Sequence, residues 1–161
     1  MPSIFGLCVA NHVLTTISGY PTEYSKGKNR AKLYEEMITQ LAGQESRLRG
    51  KLPGVRVALN ENDIGYVVEE IFKGKSIVSG LSTRLALTRW EPLPAKEDGF
   101  WGERDHMLTI ESVVLMTKEE AQKHEKEVLK GGKPAESVWG PEVVRSVEAR
   151  RVEESHYAQY R

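Results

Sequence analysis

The chain has 161 residues, 39% of them hydrophobic, with 23 basic side chains balanced by 23 acidic ones and a single cysteine, Cys8. That length suffices for one domain with a real core and no disulfides or structural metal. Balanced charge argues against a protein held to nucleic acid or membrane by bulk charge alone, and one cysteine excludes an internal disulfide framework and fits a reducing compartment.

Ser3 to Ser18 is rich in Ile, Phe, Val, Leu and Thr and reads as a strand, broken near Asn11-His12. Its apolar run is short and follows no basic region. No signal peptide or transmembrane segment is therefore expected, and the expected compartment is cytoplasmic or nuclear. Gly19-Tyr20-Pro21 ends the strand, and after a polar loop Asn29 is placed to cap a helix. Leu33, Tyr34, Met37, Ile38 and Leu41 form its apolar stripe. Leu52-Pro53-Gly54 is a turn signal, and Val55, Val57 and Leu59 alternate with polar or small residues as in a short strand. Asn60 is placed to cap a second helix through Lys73, with Ile64, Val67, Val68, Ile71 and Phe72 on its buried side. The adjacent Val67 and Val68 keep a strand hairpin open for this segment.

Ser76 to Trp90 alternates again and predicts a long strand kinked at Gly80. Pro92 to Arg104 is irregular and carries Phe100-Trp101. Met107 to Met116 reads as a buried strand running directly into a helix at Thr117-Lys118-Glu119-Glu120, where Thr117 and Glu120 match a capping box. Gly131-Gly132 ends that helix, and Pro141 suits the first turn of a last, highly charged one. The order β-α-β-α-β-β-α-α predicts a single α+β domain: a curved, mostly antiparallel four-stranded sheet with helices packed on one face. Residues 1–140 form the expected core and residues 141–161 a charged helical tail.

Signals for chemistry are few. Gly74-Lys75-Ser76 resembles the end of a phosphate-binding loop, but Glu69 stands where that pattern needs a glycine, so a helix end with a basic cap is the expectation. His12, His106, His124 and His156 lack the spacings that pair two ligands on one helix face, and neither a metal nor a cofactor is expected. No serine lies in a nucleophile elbow, and Cys8 lies in an apolar run unsuited to a reactive thiolate. Glu103, Asp105 and His106 form the one cluster with acid–base potential.

Charge is segregated despite the neutral total. Between Tyr24 and Leu59, Lys26, Lys28, Arg30, Lys32, Arg47, Arg49, Lys51 and Arg56 oppose only Glu35, Glu36 and Glu45. All but Arg56 are the candidate nucleic-acid contacts. Trp90, Phe100, Trp101 and Trp139 are candidate anchors of a protein interface. The expected function is a non-catalytic, self-associating binding or assembly module, with a homo-oligomer as its form. The alternatives are a structural RNA- or DNA-binding protein using residues 26–56, and a cofactor-free isomerase or lyase with an internal cavity for a small molecule.

Overall fold

The computed structural model describes residues 2–18, 28–50, 57–93 and 107–158. They fall into two compact units, Met1–Arg30 and Ala31–Arg161. The first holds α1 (Pro2–Ile17), a helix without a charged side chain. Ile4, Phe5, Leu7, Leu14 and Ile17 are exposed along it, as is Cys8. The expected strand over Ser3–Ser18 is thus a helix. The two threonines near its end satisfy their hydroxyls on the preceding turn: Thr15 Oγ1 donates to the Asn11 carbonyl at 2.9 Å and Thr16 Oγ1 to that of His12 at 2.7 Å. Among the described residues no helix is long and apolar enough to cross a membrane.

α2 (Lys28–Leu48) carries into the second unit. Tyr34, Met37, Leu41, Gln44 and Glu45 recur every three or four residues and are buried, whereas Leu33, expected on this stripe, is exposed. The helix begins at Lys28, so Asn29 lies inside its first turn and is not its cap. α3 (Glu61–Tyr66) settles the helix-or-hairpin choice for its segment. The Asn60 side chain accepts the N–H groups of Asn62 and Asp63 at 2.8 and 3.1 Å, and Asp63 accepts the Asn60 N–H in return. The helix runs on through a wider π turn, Val67–Ile71, and buries Ile64, Val67, Val68 and Phe72.

β1 (Leu85–Arg89) and β2 (Val113–Thr117) form an antiparallel ribbon, with Leu85 opposite Thr117 and Arg89 opposite Val113. Ala86 to Arg89 and all of β2 are buried, so the ribbon lies inside the core. Each strand also makes a bond on its far side: the Arg89 N–H donates to the Gln44 side chain at 3.1 Å, and the Leu115 carbonyl accepts the Ile77 N–H at 3.0 Å. α4 (Lys118–His124) starts from Thr117, whose hydroxyl accepts the Glu120 N–H while Glu120 accepts the Thr117 N–H at 2.9 Å. Thr117→Ala should therefore lower stability by about 1 kcal/mol, read as a shift in the denaturation midpoint. A π turn, Glu125–Leu129, prolongs α4, and α5 (Ala135–Trp139) and α6 (Pro141–Ala158) follow. Val147 and Glu154 of α6 are buried.

The described body is therefore mostly helical around a two-stranded ribbon, and not the expected curved four-stranded sheet. Left-handed backbone at Gly80 (φ 72) and Arg84 (φ 51) cuts the long strand expected over Ser76–Trp90 down to Leu85–Arg89. A 3₁₀ turn, Ile110–Ser112, similarly delays β2 to Val113. Residues 57–60 form no strand, and Val55 and Arg56 lie outside the described residues.

Candidate functional site

Where the π turn of α3 ends, the chain reverses through Lys73 (φ 54) and Gly74 (φ 67). The reversal is fixed by its own backbone, with the Gly74 N–H on the Val68 carbonyl at 2.7 Å and the Lys75 N–H on that of Phe72 at 3.1 Å. Ser76 is buried; its hydroxyl donates to Glu120 at 2.5 Å and accepts the Val78 N–H at 3.2 Å. Burial works to raise the Glu120 carboxyl, but bonds from Ser76 and Thr117 outweigh it and hold the group below its ordinary 4.5. This side chain thus caps α4 and anchors the turn. Between the turn and α6 opens a cleft of about 330 Å³, lined by Phe72, Lys73, Lys75, Ser76, Ile77, Gly80 and Arg150. Lys73 and Lys75 are exposed, with no ion-pair partner among the described residues, and Arg150 pairs with Glu153 at 2.8 Å.

A second cleft, of about 240 Å³, lies between α2, β1 and α4 and is lined by Gln40, Gln44, Arg47, Lys118, Gln122 and Glu125, among others. Its charges are already matched. Arg47 donates twice to Glu125, at 2.9 and 2.7 Å, and Lys130 adds a bond at 2.7 Å. The Arg47 bond foremost, against burial, and then Lys130 bring the Glu125 carboxyl down to about 2. Lys118 reaches Glu36 at 2.9 Å. Behind this cleft Glu45 is held by Arg89 and Arg49.

A third arrangement is centred on the buried His124. The His124 ring stacks on Trp90, with centroids 5.1 Å apart and planes 9° from parallel, and its centroid lies 6.3 Å from that of Trp139. Trp139 Nε1 donates to His124 Nδ1 at 2.9 Å, and His124 Nε2 lies 3.0 Å from the Trp90 carbonyl oxygen.

Of the residues singled out in the sequence, Trp90 and Trp139 come together around His124, Trp90 buried and Trp139 half-buried. Arg47 and Arg49 are ion-paired, Lys32 is exposed, Arg30 is half-buried, and Lys28 lies in the first turn of α2. Lys26, Lys51, Phe100, Trp101, Glu103, Asp105 and His106 lie outside the described residues. Among the described residues no cluster of three or more His, Cys, Asp or Glu could hold a metal ion. The junction of Lys73 and Lys75 with Arg150 is missed by sequence reasoning. A basic helix end at Lys73-Gly74-Lys75 is legible there, but its third cation lies far along the chain.

No protein-family model matches the sequence. The chain is similar to tRNA threonylcarbamoyladenosine dehydratase 2 of Saccharomyces cerevisiae, 41% identical over 161 residues, which is all of this chain and 33% of the relative. It is similar also to tRNA threonylcarbamoyladenosine dehydratase 1 of the same yeast, 39% identical over 163 residues, covering 98% of this chain and 34% of the relative. The chain thus spans about a third of the length of the curated relatives it matches. These likenesses overturn the expectation of a non-catalytic binding or assembly module, because the proteins that match along the chain are named as tRNA threonylcarbamoyladenosine dehydratases. The structural nucleic-acid protein offered as an alternative falls with it.

Proposed function

We propose that this chain works as a portion of a tRNA threonylcarbamoyladenosine dehydratase and contributes to its grip on the tRNA. The observation that carries the reading is the reach of the likeness, which runs over all or nearly all of the chain at 39–41% identity. It therefore covers the scaffold, the ribbon and the clefts together, and not one short motif. The distribution of charge supports the part assigned to this portion. Among the described residues, the buried charged or imidazole groups Glu45, Arg89, His124 and Glu154 are held by neighbouring side chains or backbone. What they leave for a substrate is the surface, and a tRNA is a polyanion that surface cations attract and orient.

Nucleoside analysis of tRNA from cells in which this segment has been deleted from its gene tests the reading. The expected result is threonylcarbamoyladenosine that keeps its water. Complete dehydration in the deletion strain would overturn the proposal.

A further inference from the structure

We infer that the cleft between the Phe72–Gly80 turn and α6 is a contact for the phosphate backbone of tRNA, gripped by Lys73, Lys75 and Arg150. The choice of tRNA rests on the proposed function. The choice of a phosphate backbone rests on the cleft itself.

Three cations from two distant parts of the chain line this one cleft, and among the described residues no carboxylate lines it with them. Elsewhere on the second unit several cations near α2 are ion-paired, Arg47 with Glu125, Arg49 with Glu45 and Lys118 with Glu36. Lys73 and Lys75 flank a turn whose backbone is fixed, so their stems start from defined positions while their ends stay free to adjust. The Arg150–Glu153 pair is exposed and three residues apart on one helix, an arrangement that yields readily to a stronger anion.

The backbone decides between a single phosphate and a chain of them. Pockets for a mononucleotide seize its phosphate with unpaired N–H groups. Here the N–H groups of Gly74, Lys75, Ser76, Ile77 and Gly80 all donate within the protein, to carbonyls of Val68, Phe72, Leu81, Leu115 and Ser76. The Ser76 hydroxyl is likewise taken by Glu120. What remains is positive charge on flexible stems beside the apolar Phe72 and Ile77, with open space over Gly80. Such a surface tracks repeating phosphates without reading bases.

The test is fluorescence anisotropy of labelled tRNA titrated with the full chain over a range of salt. Lys73→Ala/Lys75→Ala/Arg150→Ala should weaken binding roughly tenfold or more and flatten the plot of log affinity against log salt by about 0.9 for every phosphate that is no longer neutralised. A control, Lys126→Ala/Lys133→Ala, should leave affinity close to that of the parent. If circular dichroism shows the triple variant misfolded, Lys75→Glu alone carries the test, since that side chain is exposed. Equal binding by parent and folded variant overturns the cleft and leaves the proposed function standing. A parent chain with no affinity for tRNA also overturns the cleft, and nucleoside analysis then decides the function separately. Parent binding stronger to phosphatidylserine vesicles than to tRNA, and abolished in the variant, overturns RNA as the occupant.

Discussion

Replacing Arg89 by Met should lower folding stability by about 3 kcal/mol, because it leaves the buried Glu45 carboxylate with Arg49 as its one remaining ion-pair partner among the described residues. Glu45 is 1% exposed and Arg89 5%. The guanidinium meets the carboxylate as a fork, Nε to Oε1 at 2.7 Å and Nη2 to Oε2 at 3.1 Å. Arg49, one residue past the end of α2, adds a bond at 3.1 Å. The next residue back, Gln44, donates to Thr88 at 2.9 Å and accepts the Arg89 N–H, so one turn of α2 is tied to the end of β1 entirely through polar groups. Such a pair is worth most when one member is missing, since desolvating both ions offsets much of their attraction. Arg89→Met/Glu45→Gln should accordingly recover much of the loss seen in either single variant. Chemical denaturation at the four corners of the cycle measures this. Simple addition of the two single losses would show that the pair does not act as a unit.

His124→Ala should destabilise by about 3 kcal/mol, since it opens a cavity against the Trp90 indole and leaves the Trp139 N–H unpaired. The ring is 0% exposed. With Nδ1 accepting from Trp139, the ring proton must sit on Nε2, which donates to the Trp90 carbonyl. A second proton on Nδ1 would face a donor. Burial pushes the His124 pKa below its ordinary 6.5, and the carbonyls of Trp90 and Arg89 offset this only in part. The unfolded chain therefore takes up this proton more readily than the folded one. The contribution of His124 is complete above pH 6.5 and is lost as pH falls from there toward the depressed value. Denaturation midpoints across that range should fall for the parent and stay flatter for His124→Ala. An identical slope in both would place the acid response in another group.

The parts of the fold legible in the sequence are those written in local chemistry. The caps at Asn60 and Thr117 lie within three residues of the N–H groups they satisfy, and both are present. The stripe of Tyr34, Met37 and Leu41 is a matter of helical period and is buried as expected. Strand assignments fared worse because they rest on composition, and composition does not say whether a partner strand exists. Ser3–Ser18 has the residues of a strand but lies in a helix that satisfies its own hydroxyls. Ile77 and Leu81 continue an alternation that Gly80 and Arg84 interrupt, and Leu81 is exposed. The candidate site was less legible still. Glu45 looks like any solvated helix charge until Arg89 is brought beside it, and Lys73 and Lys75 look like a helix end until α6 returns with Arg150.

The bonds on the outer sides of the ribbon set a limit on recognition. A two-stranded sheet normally offers two free borders onto which a foreign peptide can zip as a further strand. In this protein the Gln44 amide occupies part of one border and the Ile77 N–H part of the other, and helices close over both faces. With the strands themselves buried, main-chain zippering onto Leu85–Arg89 or Val113–Thr117 is disfavoured, which shifts discrimination toward side chains and guards the ribbon against seeding aggregates.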